Sequence, residues 1–378
     1  MNIVIAPDSF KESLSAIEVA KAIEKGLISV FTNANITKIP MADGGEGTVQ
    51  TLVDATDGEL ISVQVSGPLK KPVEAFYGLI GDQTTAVIEM AAASGLHHTA
   101  PDQRDAKLTC SFGTGELINH ALNQNVSEII IGLGGSATND GGAGMLSALG
   151  AKLLDKDGQR IKRGGAALKH LDSIDTTNLN PKLANVTITV ACDVDNPLCG
   201  DKGASAVFGP QKGANAADVI ELDLCLKNLG NKLKEICATD VAQVNGSGAA
   251  GGMGASLLAL DAQLLPGVDI IIDKLNLVDS VKNADLVITG EGRIDSQTIH
   301  GKTPIGVAKV AKQFDVPVIA IAGCVSDDYH VVLDHGIDAV FPIISQLSTL
   351  EQLLANAAPN LERTAINIAN TLKLQRNT

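Results

Sequence analysis

Both ends of the chain repeat one pattern, in which a short apolar run is followed by a polar or glycine-rich loop and then by a helical stripe. Asn2 to Ala6 is the first such run. Near the other end, Asp285 to Thr289 and Val316 to Ala322 flank a helical pattern from Thr303 to Phe314. Because this alternation is typical of βαβ units, it predicts a parallel sheet that is covered by helices.

The middle of the chain has a different pattern. Leu60 to Val65, Val73 to Ile80 and Thr85 to Met90 are closely spaced strand-like runs, which predict antiparallel pairing. Further along, Glu128 to Gly132 and Val186 to Ala191 have the composition of buried strands. The middle is therefore expected to form a mixed sheet of its own.

Length and composition extend this prediction to the whole fold. One hydrophobic core rarely supports 378 residues, so two domains are expected. Phe, Tyr and Trp make up only 2% of the chain, and cores built from Ala, Val, Ile and Leu favour layered α/β packing. We predict a doubly wound Rossmann-like parallel-sheet domain, residues 1–60 plus 283–378, and a second inserted mixed α/β domain with a glycine-rich phosphate loop, residues 61–282.

The formal charge of −14 argues against a polyanionic partner, because a nucleic-acid groove needs a basic field. The sequence has no uncharged apolar stretch of the ~18 residues needed to cross a bilayer. Six scattered cysteines without metal-binding spacing fit reduced thiols. We expect a soluble cytoplasmic protein with no nucleic-acid or membrane partner, and both a monomer and a homodimer remain open.

The segment from Gly132 to Gly142, here called the glycine loop, lies between a predicted buried strand and a predicted helix. So many glycines let main-chain N–H groups approach and surround an anion, and the helix N-terminus adds a favourable dipole. Phosphate is the expected ligand. The alternative is a tight turn that only needs positive φ angles, although one or two glycines would normally suffice for that.

Two further clusters of polar residues follow predicted strands. In the segment Thr289 to Thr298, Arg293 could clamp a carboxylate or phosphate, and Glu291 with Asp295 could hold Mg²⁺. After the strand that ends at Ala191, Asp193 is the first choice for a base near the attacking hydroxyl of a phosphoryl acceptor. Solvated loops and turn capping are the alternative interpretations of these clusters.

Six segments in the same order closely resemble the bacterial type I glycerate kinase family, and together they span nearly the whole chain. They are Pro7 to Lys11, Ala42 to Thr48, Gly132 to Gly142, Asp193 to Gly200, Phe208 to Gly213 and Thr289 to Gly306. The resemblance implies two α/β domains and the ATP- and Mg²⁺-dependent phosphorylation of D-glycerate, giving 2-phospho-D-glycerate in glyoxylate or sugar-acid catabolism.

The resemblance and the loop chemistry together give a hypothesis for each site residue. Gly134, Gly135, Ser136 and Thr138 are expected to hold the ATP phosphates, with Lys212 as a charge partner. Mg²⁺ is assigned to Glu291 and Asp295 together with Asp43, and the substrate carboxylate to Lys11 and Arg293. Asp193 is assigned as the catalytic base. Sequence gives no distances, so these roles could be exchanged within the set.

Two other classes of function remain as alternatives. An NAD(P)-dependent hydroxy-acid oxidoreductase would use similar glycine loops, and both Gly132-x-Gly134-x-x-Ala137 and Gly246-x-Gly248-x-x-Gly251 fit versions of the dinucleotide fingerprint. A non-catalytic organic-acid-binding regulator would sense its ligand in the same kind of site. Hydride transfer with NAD(H), or the absence of ADP release with glycerate, would distinguish these two from a kinase.

Overall fold

The computed structural model of the chain describes residues 1–81, 83–237 and 239–376. Its strands are β1 (Asn2–Pro7), β2 (Asn35–Lys38), β3 (Glu59–Ser66), β4 (Pro72–Ile80), β5 (Thr85–Glu89), β6 (Glu128–Gly132), β7 (Lys152–Leu154), β8 (Ser173–Asp175), β9 (Thr187–Ala191), β10 (Gln263–Leu265), β11 (Leu286–Ile294), β12 (Val318–Val325) and β13 (Ala339–Pro342). Its helices are α1 (Ala16–Ile28), α2 (Thr48–Ala55), α3 (Ala91–Ser94), α4 (Phe112–Asn123), α5 (Ala143–Ala148), α6 (Ala204–Phe208), α7 (Ala216–Ile236), α8 (Ala249–Leu258), α9 (Gly267–Lys274), α10 (Leu277–Val281), α11 (Thr303–Lys312), α12 (Leu350–Ala355) and α13 (Ala357–Arg376).

One compact unit is built on a five-stranded parallel sheet in the order β13-β12-β11-β1-β2. It takes in Met1–Asp43, Gln50–Thr56 and the described part of Pro266–Thr378. Alternate side chains of the central strands pack against α1 and α13, and the side chains between them are also buried, because helices cover both faces. The strand order reverses between β1 and β11, which is where open α/β sheets bind ligands.

The other compact unit takes in Gly44–Val49 and the described part of Asp57–Leu265. Its six-stranded sheet has the order β10-β9-β6-β5-β4-β3, with β3, β4 and β5 antiparallel and the remaining pairs parallel. The strands β7 and β8 form a separate antiparallel pair. The predicted fold class, a doubly wound parallel sheet with a second mixed α/β domain, is confirmed.

The boundaries of independently folding domains, 1–60 plus 283–378 and 61–282, stay a prediction. The last two predicted residues, 377–378, lie outside the described residues. Within the described ranges, none of the helices combines the length and the apolar composition that crossing a bilayer would require.

The largest local difference from the sequence prediction is in β11. The segment from Thr289 to Thr298 was expected to be a loop, but β11 continues as far as Ile294 and stays paired with β12. The reason is a close approach of the two main chains, since a Cβ at Gly323 would collide with the Gly292 carbonyl. Glycine there permits strand pairing instead of ending it.

Candidate active site

The glycine loop begins where β6 ends, at the carboxyl edge of the six-stranded sheet. The amide of Leu96 donates to the Gly135 carbonyl at 2.9 Å, which fixes the bend from one side. Gly134 and Gly135 are exposed, and their amides have no acceptor among the described residues. Exposed main-chain donors on a fixed bend are the groups that an anion such as phosphate binds.

Lys212 lies directly beneath this bend. It is only 1% exposed, and its ammonium donates to Ser136 Oγ and to the Thr138 carbonyl, both at 2.7 Å. Burial outweighs the attraction of Asp140 and lowers the pKa of Lys212 to about 7. Thr138 is also fully buried. Both side chains, which were predicted to contact phosphate, therefore lie on the inner side of the loop, and Lys212 supports the loop through its two hydrogen bonds.

Asp140 anchors the far end of the glycine loop. Its buried carboxylate accepts hydrogen bonds from the amide and the hydroxyl of Ser111, at 2.9 Å each, and from the amides of Gly142 and Gly144, at 3.2 Å each. Four donors compensate the buried charge. The following helix, α5, has only six residues and begins at Ala143. The expected helix dipole is therefore weak, so the exposed amides of the bend are the main candidates for binding an anion.

A second glycine-rich stretch, Gly246 to Gly254, packs behind the glycine loop. Three successive residues within α8, Ala250 to Gly252, have left-handed φ angles of 52°, 69° and 91°. The Gly251 carbonyl accepts the amide of Gly141 at 2.9 Å, and a side chain at Gly251 would collide with the Thr138 carbonyl. The stretch matches a dinucleotide fingerprint in sequence, but in the structure it supports the glycine loop.

Glu89, at the end of β5, holds residues 44–49 beside the glycine loop. Its Oε1 accepts the amide of Val49 at 2.9 Å, and burial raises the pKa of its carboxyl. Residues 44–49 pack so closely that a Cβ at Gly132 would lie 2.6 Å from the Gly44 carbonyl. Glu89 was not among the residues predicted from the sequence. Its position as an acid at the end of a buried strand could have indicated it.

Asp193 lies beyond the end of β9, which runs parallel to β6 with Ala191 opposite Gly132. Parallel neighbours end at the same edge of a sheet, so the proposed base and the glycine loop both emerge there. Asp193 is exposed. In the same turn, Asn196 Nδ2 donates to the Lys202 carbonyl at 2.8 Å, so the amide stabilises the turn that carries Asp193.

In the other unit, three interacting carboxylates lie at the carboxyl edge of the five-stranded sheet, where the strand order reverses. We call Asp8, Asp43 and Glu291 the acidic cluster. Asp8 accepts hydrogen bonds from Thr303 Oγ1 and from the Ser9 amide, both at 2.6 Å. Burial, followed by repulsion from Asp43 and Glu291, raises the pKa of Asp8 to about 7. Sequence analysis did not select Asp8, although it directly follows the first strand.

The acidic cluster can be tested for its fit to Mg²⁺. In the part of the chain that the structure describes, no set of three or more His, Cys, Asp or Glu side chains is arranged to hold a metal ion. Mg²⁺ usually takes one or two carboxylates and completes its shell with water and phosphate oxygens, so such a set is not required. Burial raises the pKa values of Asp8 and Glu291, and a nearby cation would stabilise their charged forms. The cluster fits this mode.

Glu291 and Arg293 project from the same face of β11. Glu291 Oε1 accepts a hydrogen bond from Thr298 Oγ1 at 2.6 Å, Lys302 Nζ lies 3.5 Å from Oε2, and burial raises the Glu291 pKa. Arg293 donates to Ser326 Oγ from Nε at 3.1 Å and from Nη2 at 2.9 Å. The guanidinium is thus held in place while most of its side chain remains in solvent.

The other two predicted residues of this unit have contrasting surroundings. Asp295 accepts the Gln297 amide at 2.9 Å on Oδ1, and its Oδ2 lies 3.3 Å from Arg293 Nε. Both oxygens are therefore engaged, and Asp295 orients Arg293 and caps a short helical turn. Lys11 is exposed in the turn after β1, and its main chain runs beside Gly292.

Comparison with known proteins gives matches over the full length. A sequence model described as the glycerate kinase family matches residues 3–373. A glycerate kinase from Haemophilus influenzae is 58% identical over 98% of this chain and 99% of its own length, and a glycerate 2-kinase from Escherichia coli is 54% identical over 99% and 98%. A solved structure named provisionally as glycerate kinase 2, from Salmonella typhimurium LT2, matches with a TM-score of 0.92 and 54% identity, over 100% of this chain and 99% of that chain.

Proposed function

Since this chain belongs to the glycerate kinase family and is a kinase, we propose that it transfers the terminal phosphoryl group of ATP to D-glycerate with the help of Mg²⁺. We choose ATP as the phosphoryl donor because the amides of Gly134 and Gly135 are exposed. Main-chain donors of this kind stabilise the charge on phosphoryl oxygens without needing to reorganise during the reaction.

The residues around the bend act by holding it. Ser136 is buried, and its hydroxyl accepts a hydrogen bond from the Lys212 ammonium. The charge of Lys212 acts through this hydrogen bond and through the Thr138 carbonyl, because the ammonium itself is buried. Thr138 and Lys212 are therefore positioning residues in this proposal.

Mg²⁺ would be held by Asp43 and Glu291, with Asp8 beside them. When bound, the ion supplies positive charge that neutralises the phosphate oxygens during transfer. Asp295 is a weaker candidate as a ligand than the sequence suggested, since both of its oxygens are engaged. Arg293 and Lys11 would bind the substrate carboxylate, for which the fixed guanidinium of Arg293 is well suited.

Asp193 is proposed as the base that orients and deprotonates the attacking hydroxyl. Phosphoryl transfer needs little covalent help from the protein, so the role of this carboxylate is mainly to position the nucleophile. We assign the 2-hydroxyl as acceptor, because a full-length relative is named a glycerate 2-kinase. The product would be 2-phospho-D-glycerate, formed in the cytoplasm during glyoxylate or sugar-acid catabolism.

The test is ADP release in a coupled assay with ATP and D-glycerate. We expect Asp193→Asn to lower kcat by roughly 10²-fold or more, as is typical for loss of a general base. Asp195→Asn is the matched control, because Asp195 is exposed in the same loop and has no assigned role. Near-normal turnover by Asp193→Asn would remove Asp193 from the role of base.

Two further measurements test the cofactor and the product. EDTA should stop ADP release, and added Mg²⁺ should restore it. Phosphorus NMR of the product should show phosphate on the secondary carbon of glycerate. Phosphate on the terminal carbon would overturn the assignment of the acceptor hydroxyl while leaving the kinase activity intact.

A further inference from the structure

The unit that carries the glycine loop also contains a basic pocket. The cavity has a volume of about 920 Å³, and its wall is formed mainly by residues 155–172. Seven of its lining residues are Lys or Arg and only three are Asp, although the whole chain has a formal charge of −14. This local reversal of charge gives a positive potential in an acidic protein, and such a potential attracts anions.

Some of these cations are fixed by the fold. The guanidinium of Arg163 lies 3.1 Å from the ring centroid of Phe112, which is a cation–π contact. Lys70 Nζ donates to the Arg163 carbonyl at 3.0 Å, so the two residues hold each other. Groups that are ordered before a ligand arrives lose less conformational entropy when they bind it.

Of the other cations of the pocket, some are paired with acids and, among the described residues, some are not. Lys107 pairs with Asp218 at 2.5 Å and Lys169 pairs with Glu221 at 3.3 Å, and neither acid lines the cavity. Across the described ranges, by contrast, Arg160 and Lys162 form no ion pair, and both are exposed. Their charge is therefore available to a ligand.

The wall of the pocket is connected to the glycine loop through one short segment. The Lys107 carbonyl accepts the amide of Ala166, which ties residues 155–172 to this segment. Two residues further along, Thr109 Oγ1 donates to the Ala137 carbonyl at 2.9 Å, and the next link is Ser111 with Asp140. A ligand that orders the pocket wall thus acts on residues that hold the glycine loop.

We propose that this pocket is a second anion site, which binds a small organic molecule carrying two or more phosphate groups. Its volume lies within the range of ligand-sized pockets, and several cations can satisfy several phosphates at once. Leu108, which is 54% exposed, gives the same cavity an apolar surface for the organic part. A nucleic acid or an anionic membrane is disfavoured, because the remaining surface of the protein repels an extended polyanion.

The site can be tested by binding, independently of turnover. Isothermal titration calorimetry with inorganic tripolyphosphate on the full chain should detect a component that the double variant Arg160→Gln/Lys162→Gln weakens at least tenfold. The matched control is Lys227→Gln/Lys309→Gln, which removes the same charge from exposed lysines outside the pocket and should bind like the unsubstituted protein. Equal binding by both double variants, or no binding by the unsubstituted protein, overturns the proposal.

Hydrogen exchange measured by mass spectrometry locates the bound probe. Tripolyphosphate should slow exchange in residues 155–172 and in the segment around Thr109. Protection confined to the glycine loop would mean that the probe binds only the catalytic phosphate site, and the second site would be rejected. Because neither measurement uses glycerate or turnover, failure here leaves the proposed kinase function intact.

Discussion

Asp43–Gly47 and Asp140–Gly144 have the same Asp-Gly-Gly-x-Gly pattern, but their aspartates are in opposite electrostatic surroundings. Asp140 is buried and accepts four hydrogen bonds, so its charge is compensated within the protein. Asp43 belongs to the acidic cluster, where its charge helps to raise the pKa of Asp8. A repeated loop sequence thus serves once as a structural anchor and once as part of a charged site.

The largest expected effect is on the stability of the Asp140 variants. Asp140→Ala should lower the free energy of unfolding by about 4 kcal/mol, because several buried donors around the carboxylate lose their acceptor. Asp43→Ala should change it by less than about 1 kcal/mol, since Asp43 is only partly buried. Urea unfolding of both variants measures the difference, and equal losses would contradict the comparison.

Catalytic activity should depend more on Asp43 than the stability of the fold does. Asp43→Asn should lower kcat about 10²-fold, which corresponds to about 2.7 kcal/mol of transition-state stabilisation, because it removes a proposed Mg²⁺ ligand. In steady-state kinetics, the variant should need a higher Mg²⁺ concentration for half-maximal activity than the unsubstituted protein. Full activity at ordinary Mg²⁺ concentrations would take Asp43 out of the metal site.

The last glycines of the two segments, Gly144 and Gly47, should differ in how much an alanine destabilises the protein. An alanine Cβ at Gly144 would lie 2.5 Å from Cys110 Sγ and 2.6 Å from the Phe112 amide nitrogen, so Gly144→Ala should destabilise by roughly 2–3 kcal/mol through overpacking. Gly47 has a φ of +90° but nothing within 4 Å of an added Cβ. Gly47→Ala should therefore cost only about 1 kcal/mol of backbone strain. Thermal or urea unfolding measures both losses of stability. A larger loss for Gly47→Ala than for Gly144→Ala would contradict this prediction.

The last expected effect is a pH dependence of stability that comes from Lys212, which is buried beneath the glycine loop. The folded protein releases the Lys212 proton near pH 7, whereas an unfolded lysine keeps it up to about pH 10.4. Between these values the unfolded state binds more protons, so stability should rise with pH. Compared with Lys212→Met, the unsubstituted protein should gain up to about 1.4 kcal/mol per pH unit from pH 7 to 9. Parallel stability profiles for the two proteins would show that Lys212 does not titrate there.

The fold could be predicted well because the sequence patterns that indicate strands and helices are periodic. Apolar runs and helical stripes repeat over many residues, and the antiparallel pairing of β3, β4 and β5 was predicted from their spacing and is observed. The end of β11 was predicted wrongly, because glycine usually interrupts a strand but here lets two main chains approach.

The site was less predictable, because burial of a single polar side chain depends on the whole fold. The sequence indicates that Lys212 lies in a glycine-rich loop, but it cannot show that the ammonium faces inward. Asp8 and Glu89 were missed for a related reason. Each is a single acid after a strand, and its importance comes from neighbours that are distant in the chain.

The exposed donors of the glycine loop belong to the main chain, and this has a consequence for how such an enzyme could be retuned. A peptide N–H is the same whichever side chain is attached to it. If Gly134 and Gly135 bind the nucleotide as proposed, the affinity does not depend on a side chain at either position. Adjustment has to come from residues behind the bend, such as Ser256, whose Oγ donates to the Gly141 carbonyl at 2.5 Å. Under this proposal, natural variation in nucleotide affinity should map to positions behind the bend that are not in contact with the nucleotide.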